Sequence, residues 1–432
     1  MSFIALPNEL IYQISQRVQP DDLESYGRTS NRIKDIAAPF VQEHRQLQAQ
    51  YTKISLSHVA AAEMFYDMCA RPWIRLYPRY LEVKANKNWR TLENPRNREK
   101  EALVEAVTLK RSQVEEEEMT DLLKRTRLIP AHKMDSWLEQ VERGDEDYLF
   151  ALMLACLPNV ERLIVRLDHT KLEQVKDMVR AIKRLPASTS PYHPRALSRL
   201  ADARVLEREG SDSCDLELFP LLASLPGIQI LHGRNLAGMY RECYRDGWLE
   251  YPGASSSITH ISLETCGMSV EGLEKLCDSI TGLRSFKYVA HRAGWGLHRI
   301  SDLLKSAHPT LEELVLSTGS GDSRFIGPLR KFAALKHVTV DSDMMVQRGK
   351  MQRAVDVLPA SIETAILTGN SLTRAFEEHF LGDLYRPSFH YPNLRRLSVD
   401  DSWGKRDIGK DRLKFQKEFH KQSSPAWMLR YR

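Results

Sequence analysis

The sequence predicts a protein of mixed α and α/β structure, and three patterns lead to this prediction. Apolar side chains recur every three or four positions within residues 1–47, which indicates three short helices. Residues 48–150 are rich in strong helix formers and are expected to form a helical linker region. From residue 151 to residue 402, short strand signals alternate with helical stretches, as in parallel strands connected by helices. The remaining residues, 403–432, are a polar and basic tail.

Composition and charge argue against several functional classes. The 432 residues include 62 Lys+Arg and 57 Asp+Glu, and the formal net charge of +5 is too small to indicate nucleic-acid binding by bulk electrostatics. The longest apolar stretch, residues 148–157, is too short for a membrane span, which needs about 20 residues. The N-terminus lacks the basic segment of a secretory signal, and the six cysteines contain no C-x-x-C pair. We therefore expect a cytoplasmic or nuclear protein.

The first predicted helix spans residues 6–18, LPNELIYQISQRV. Pro7 suits its first turn, where a backbone N–H has no helical partner to lose. Pro20 starts a second short helix, and Ser30 is a suitable N-cap for a third. A unit of about 40 residues buries little surface alone, so we expect it to dock on a partner or on the rest of the chain. The apolar stripe of the first helix consists of Leu6, Leu10, Ile11, Ile14 and Val18.

These N-terminal residues resemble an F-box. The resemblance is carried by Leu6-Pro7-x-Glu9-Leu10, Ile14, Asp22-Leu23 and the block RTSNRIKDIA at residues 28–37. Tyr26 and Ile33 depart from the side chains that many members carry, although both positions stay apolar. The resemblance implies a three-helix module that inserts into the Skp adaptor of a cullin–RING ubiquitin ligase. The adaptor contacts that it implies are Leu6, Pro7, Leu10, Ile11, Ile14, Leu23 and Ile33.

A repeated pattern, apolar-x-x-apolar-x-apolar, organises residues 151–402. From Ile258 onward its steps are 25, 28, 24, 27 and 32 residues. This pattern resembles an irregular leucine-rich-repeat solenoid, which implies parallel strands on a concave face. Cys266 and Asn370 stand where that family places Asn or Cys, whose side chain bonds the backbone of the turn. The other copies depart from the family there and carry Asp168, His291, Gly319, Asp343 and Ser402. The interval from Val160 to a degraded copy at Ile228 requires either an unrecognised repeat or an insertion. The full copies begin at Val160, Ile258, Leu283, Leu311, Leu335, Ile362 and Leu394.

An F-box followed by leucine-rich repeats is the layout of substrate receptors of SCF-type ubiquitin ligases, including fungal ones. The resemblance implies a non-catalytic subunit, without cofactor or metal, that binds the Skp adaptor and cullin scaffold through its F-box and a protein target through its repeats. The outward positions of the strands carry charges of both signs, which suits a protein partner better than a phosphate backbone. The target-binding residues predicted on this face are Glu313, Ser317, His337, Asp341, Arg396 and Asp400.

Two alternatives to a ligase subunit stay open. The first helices could cap a repeat scaffold that has no link to ubiquitin. Residues 71–90, RPWIRLYPRYLEVKANKNWR, could instead bind single-stranded nucleic acid, because basic and aromatic side chains alternate there. The simpler interpretation of that segment is that Trp73, Tyr77 and Tyr80 pack inward. No phosphate-loop, dinucleotide-binding, zinc-protease or serine-hydrolase motif occurs, so no sequence signal supports an enzyme.

Overall fold

The computed structural model divides the chain into two compact units, residues 1–202 and residues 203–432. The predicted domain limits at residues 47, 150 and 402 stay predictions, and the predicted tail at 403–432 lies outside the described part of the chain. The residues that the structure describes are 6–86, 104–105, 107–112, 114–168, 172–185, 195–208, 217–236, 256–268, 270–278, 280–290, 300–317, 325–345, 353–368, 380–385 and 391–400.

The chain begins with the three predicted helices. The first, α1, spans Asn8–Ser15, α2 spans Pro20–Gly27 and α3 spans Asn31–Tyr51. Ser30 caps α3 as predicted, because its side-chain oxygen accepts a hydrogen bond from the backbone N–H of Ile33 at 3.2 Å. At 21 residues, α3 runs past the expected end of the three-helix module.

The rest of the first unit combines helices with three strands. The prediction that residues 48–150 are helical was wrong over two strands, β1 (Lys53–Leu56) and β2 (Tyr80–Asn86). Helix propensity is a weak predictor of structure, and here strand pairing outweighs it. Strand β1 pairs in parallel with β2, and β2 pairs in parallel with β3, Arg162–Asp168. The elements are β1 Lys53–Leu56, α4 His58–Ala70, a 3-10 turn at Pro72–Leu76, β2 Tyr80–Asn86, α5 Glu116–Thr126, α6 Ala131–Glu142, α7 Glu146–Cys156, β3 Arg162–Asp168 and α8 Glu173–Arg184.

The chain continues with strands that alternate with short helices. One strand, β4 (Asp202–Glu207), falls in the interval between Val160 and Ile228 that the sequence left open. The elements are β4 Asp202–Glu207, α9 Leu218–Ala223, β5 Ile230–Arg234, β6 His260–Cys266, α10 Val270–Asp278, β7 Ser285–Ala290, α11 Ile300–Leu303, 3-10 turns at Lys305–Ala307 and Ser342–Met345, β8 Glu313–Ser317, β9 His337–Asp341, α12 Ala354–Val357, β10 Thr364–Thr368, α13 Gly382–Tyr385 and β11 Arg396–Asp400.

Each strand from β5 to β11 pairs in parallel with the next one along the chain. In the copies from Ile258 to Ile362 the last two apolar positions are buried, as Leu314 and Leu316 illustrate with 0 % exposure, while Val315 between them is partly exposed. This alternation follows from the two-residue period of a strand. Mixed α/β structure with parallel strands, as the periodicity predicted, is therefore confirmed.

Within the part of the chain that the structure describes, no helix is long and apolar enough to cross a membrane. The described cysteines, Cys69, Cys156, Cys266 and Cys277, are free and buried. Burial raises the pKa of Cys156 to about 12, so its thiol is not ionised at neutral pH.

Candidate partner-binding surfaces

The residues predicted to bind an adaptor divide into a surface group and a core group. Leu10 is 43 % exposed and Pro7 is exposed, whereas Leu6 and Ile14 are half-buried. Residues four positions apart are neighbours on a helix surface, so Leu10 and Ile14 form one apolar row on α1. The core group consists of Ile11, Leu23 and Ile33, one on each helix. These side chains are 0–5 % exposed.

Polar contacts fix the position of α1 against α3. The Arg32 guanidinium donates to Asn8 Oδ1 at 2.6 and 2.9 Å and to the Leu6 carbonyl at 2.8 Å. On the same helix, the Tyr12 ring packs edge-on against Phe40 with centroids 4.8 Å apart, yet Tyr12 is 47 % exposed. The start of α1 is therefore held in place while several of its apolar side chains face solvent.

The three helices are also tied to the rest of the first unit. The Arg79 guanidinium donates to both carboxylate oxygens of Asp21 at 2.7 Å. Burial alone would raise the pKa of Asp21, but the hydrogen bond and charge of Arg79 outweigh it and hold that pKa below its usual value. Further along, His44 Nδ1 lies 3.2 Å from the Tyr77 hydroxyl, and burial lowers the pKa of His44. Sequence reasoning missed these pairs because their partners are far apart in the chain.

Residues 71–90 contribute several side chains to the core of the first unit. Tyr77 is buried, as the simpler interpretation expected, whereas Trp73 is 45 % exposed and Tyr80 is only half-buried. Arg79 is engaged by Asp21 and lies 3.9 Å from Glu161. Residues 87–90 lie outside the described residues, and nucleic-acid binding by this segment stays an untested prediction.

The residues predicted to bind a target occupy neighbouring positions on β8, β9 and β11. Glu313 lies opposite His337, and His337 lies opposite Thr364, which in turn lies opposite Arg396. Glu313, His337 and Arg396 are exposed. Asp400 stands opposite Thr368 in the register of β10 and β11. We call the outward positions of β6–β11 the polar strand face.

Asp341 sits at the centre of a small hydrogen-bond network on this face. Its Oδ2 accepts from the Ser317 hydroxyl at 3.3 Å, and its Oδ1 accepts from the Thr368 hydroxyl at 2.9 Å. The sequence analysis named Ser317 and Asp341 but missed Thr364 and Thr368. The same strand period, applied to the copy at Ile362, would have found both.

Charges on the polar strand face are paired across strands. Lys287 Nζ lies 2.5 Å from Glu264 Oε1, and this hydrogen bond lowers the pKa of Glu264 against the opposing effect of burial. The Ser285 hydroxyl donates to Glu313 Oε2 at 2.7 Å. These contacts hold the charged side chains in defined positions, which suits recognition of a partner with both signs of charge.

Cys266 contacts the backbone of the neighbouring strand β5. Its thiol lies 3.6 Å from the Gly233 carbonyl, and burial raises its pKa to about 12, so the contact is structural. Asn235, which the sequence analysis did not single out, adopts a left-handed φ of 57° and donates from Nδ2 to the Glu207 carbonyl at 2.9 Å. Asparagine tolerates this conformation better than most residues.

No protein-family model matches the chain, and no curated protein resembles it significantly in sequence. Among the described residues, no group of three or more His, Cys, Asp or Glu side chains is arranged to hold a metal ion.

Proposed function

We propose that this chain is a non-catalytic substrate-recognition subunit of an SCF-type ubiquitin ligase, acting in the cytoplasm or nucleus. In this proposal, α1–α3 form an F-box that binds the Skp adaptor, and the strands belong to an irregular leucine-rich-repeat solenoid that binds a protein target. The cullin scaffold is reached through the adaptor. Holding adaptor and target on one chain raises the effective concentration of target lysines near the ubiquitin-conjugating enzyme.

The observation that carries the proposal is the exposed apolar row on α1. Leu10 is 43 % exposed and continues into the half-buried Ile14, on a helix whose start is hydrogen-bonded to Arg32. Exposed apolar side chains in a defined arrangement favour a protein partner. Their spacing is the one that resembles an F-box.

Adaptor binding is tested by replacing the apolar row with charge. Leu10→Asp with Ile14→Asp places two carboxylates where an apolar contact is proposed, and burying each without a partner costs several kcal/mol. The matched control, Gln13→Asp with Gln16→Asp, adds the same charge elsewhere. Gln13 is an exposed residue of α1, and Gln16 is its exposed C-cap. We expect co-purification with the Skp adaptor to be lost in the first variant and kept in the second.

Circular dichroism and melting temperature must show that both variants are folded. A folded Leu10/Ile14 variant that still binds the adaptor would contradict the F-box assignment. The repeat scaffold without a ubiquitin link would then be the better interpretation.

Target binding is proposed for the polar strand face and needs its own experiment. Glu313→Lys and Arg396→Glu reverse two of its exposed charges, and His337→Glu adds a negative charge between them. The control variant, Glu271→Lys with Lys275→Glu, changes exposed charges on α10 instead. We expect proteins that accumulate with the wild-type chain under proteasome inhibition to be lost only with the strand-face variant, while adaptor binding stays intact. Equal loss in both variants would contradict the assignment of the site.

A further inference from the structure

The outward positions of β1, β2 and β3 form a second polar face, within the first unit, which we call the β1–β3 face. The register places Lys53 opposite Tyr80, Tyr80 opposite Arg162, and Lys84 opposite Arg166. The intervening positions, such as Leu81, Val83 and Leu163, are buried. The outward positions carry Lys53, Ser55, Tyr80, Glu82, Lys84, Arg162, Ile164, Arg166 and Asp168, of which Ile164, between the two arginines, is only 6 % exposed.

Cations and anions differ in exposure on the β1–β3 face. The four cationic residues, Lys53, Lys84, Arg162 and Arg166, are exposed. The Glu82 side chain, in contrast, is only 13 % exposed. Asp168, at the end of β3, is half-buried. The charge that this face presents to solvent is therefore positive.

The two arginines share one arrangement. Arg162 Nε lies 2.6 Å from Asp202 Oδ2, and the Arg162 and Asp202 side chains are 46 % and 7 % exposed. Arg166 Nε likewise pairs with Glu82 Oε1, and the Arg166 side chain is 53 % exposed. Burial would raise the pKa of Glu82, but the hydrogen bond and charge of Arg166 outweigh it and hold that pKa below its usual value. The Glu82 carboxylate is therefore ionised at neutral pH and keeps its pairing with Arg166.

An arginine anchored in this way is prepared to bind a second anion. A guanidinium has five N–H donors in a fixed plane, and a pair made through Nε uses only part of them. Since a nearby carboxylate already restricts the side chain, less conformational entropy is lost when a ligand binds. Arg162 and Arg166 lie four residues apart on one strand, a separation of about 13 Å.

We propose that the β1–β3 face binds an extended acidic segment of a partner protein, with Arg162 and Arg166 each taking one carboxylate. Side chains four residues apart on an extended ligand lie on the same side and repeat at the same distance as the arginines. Lys53 and Lys84 supply the flanking positive charge. This site lies on different strands from the target-binding residues of the polar strand face, and it stands without the ligase function.

The same face is less suited to a nucleic acid. Glu82 stands in its middle, where a continuous phosphate backbone would pass close to a carboxylate. Tyr80 could stack on a base, but Lys53 Nζ already covers its ring at 5.1 Å from the centroid. A peptide can avoid both obstacles because its carboxylates are separated by neutral residues.

The test measures the binding of a defined peptide to the full chain by fluorescence anisotropy. The labelled probe contains Ser and Thr with Glu at every fourth position, and a second probe has Gln in place of Glu. Oligothymidylate serves as the nucleic-acid probe. We expect saturable, salt-sensitive binding of the Glu peptide and no binding of the Gln peptide.

Two variants separate geometry from net charge. Arg162→Lys with Arg166→Lys keeps every charge, and a cation for Asp202 and Glu82, but removes the planar donors, so affinity for the Glu peptide should fall at least about tenfold. Lys34→Gln with Lys133→Gln removes two exposed charges on α3 and α6 and should leave affinity unchanged. Melting temperatures verify that both variants are folded.

Three results would overturn the proposal. They are an absence of saturable Glu-peptide binding to the wild-type chain, unchanged affinity in the folded arginine variant, and tighter binding of oligothymidylate than of the peptide. The last result would make the face a nucleic-acid site. Adaptor co-purification does not enter any of these outcomes, so failure here leaves the proposed ligase function untouched.

Discussion

Asp147 provides a sharp test of how burial controls stability in the first unit. It lies on α7, is 7 % exposed, and its carboxylate accepts hydrogen bonds from the backbone N–H groups of Gln174 at 2.8 Å and Val175 at 3.0 Å. Burial raises the pKa of Asp147 to about 6, against the lowering effect of these two bonds and with support from the charges of Asp145 and Glu173.

The direction of the pH effect follows from this pKa. In the unfolded chain the pKa of Asp147 takes its ordinary value of 3.8, so the folded chain binds the proton on this carboxyl more tightly. The stability contributed by the protonated carboxyl is therefore fully present below the unfolded value and is lost as the pH rises through about 6. Because one pKa unit corresponds to about 1.4 kcal/mol, the loss between about pH 4.5 and about pH 7.5 is about 2 kcal/mol.

The assay compares urea unfolding of the wild-type chain and Asp147→Asn at these two pH values. Asparagine keeps an acceptor for the α8 backbone but cannot ionise, and the other carboxylates cancel because both chains contain them. The difference in unfolding free energy should shift by about 2 kcal/mol in favour of the wild type at the acidic pH. A difference that is the same at both pH values would refute the reasoning, since the carboxyl would then titrate alike in the folded and unfolded states.

Two further predictions concern packing, and both are measured as free energies of unfolding. Leu314→Ala removes a side chain that is 0 % exposed and should cost about 2–5 kcal/mol, whereas Val315→Ala, at a partly exposed position, should cost far less. Equal costs would contradict the strand register. Gly233→Ala places a Cβ 2.5 Å from Leu236 Cδ1 and should cost about 1–3 kcal/mol, whereas Gly282→Ala meets nothing within 4 Å and should be tolerated. A neutral Gly233 variant would mean that Leu236 can move aside.

Local periodicity was enough to predict α1, α2, α3 and most strands of the second unit. An amphipathic helix and an alternating strand each bury one face, so their apolar spacing is visible in the chain. The Ser30 cap was predictable for a similar reason, because it acts on a backbone group three residues away. Strand β4 and the pair β1 and β2 were not predicted. They are four to seven residues long, and their backbone hydrogen bonds depend on partner strands that the sequence does not place.

The division of the candidate sites was likewise outside the reach of the sequence. Leu10 and Ile11 are adjacent and both apolar, yet Leu10 is 43 % exposed and Ile11 is 0 % exposed, because they point to different sides of α1. The pairing of Arg162 with Asp202, 40 positions along the chain, likewise required the fold. The sequence alone thus determined which residues are apolar and at what period they recur. The tertiary structure decided which of them are covered and which charges meet, because burial and ion pairing depend on distances in space between residues far apart in the chain.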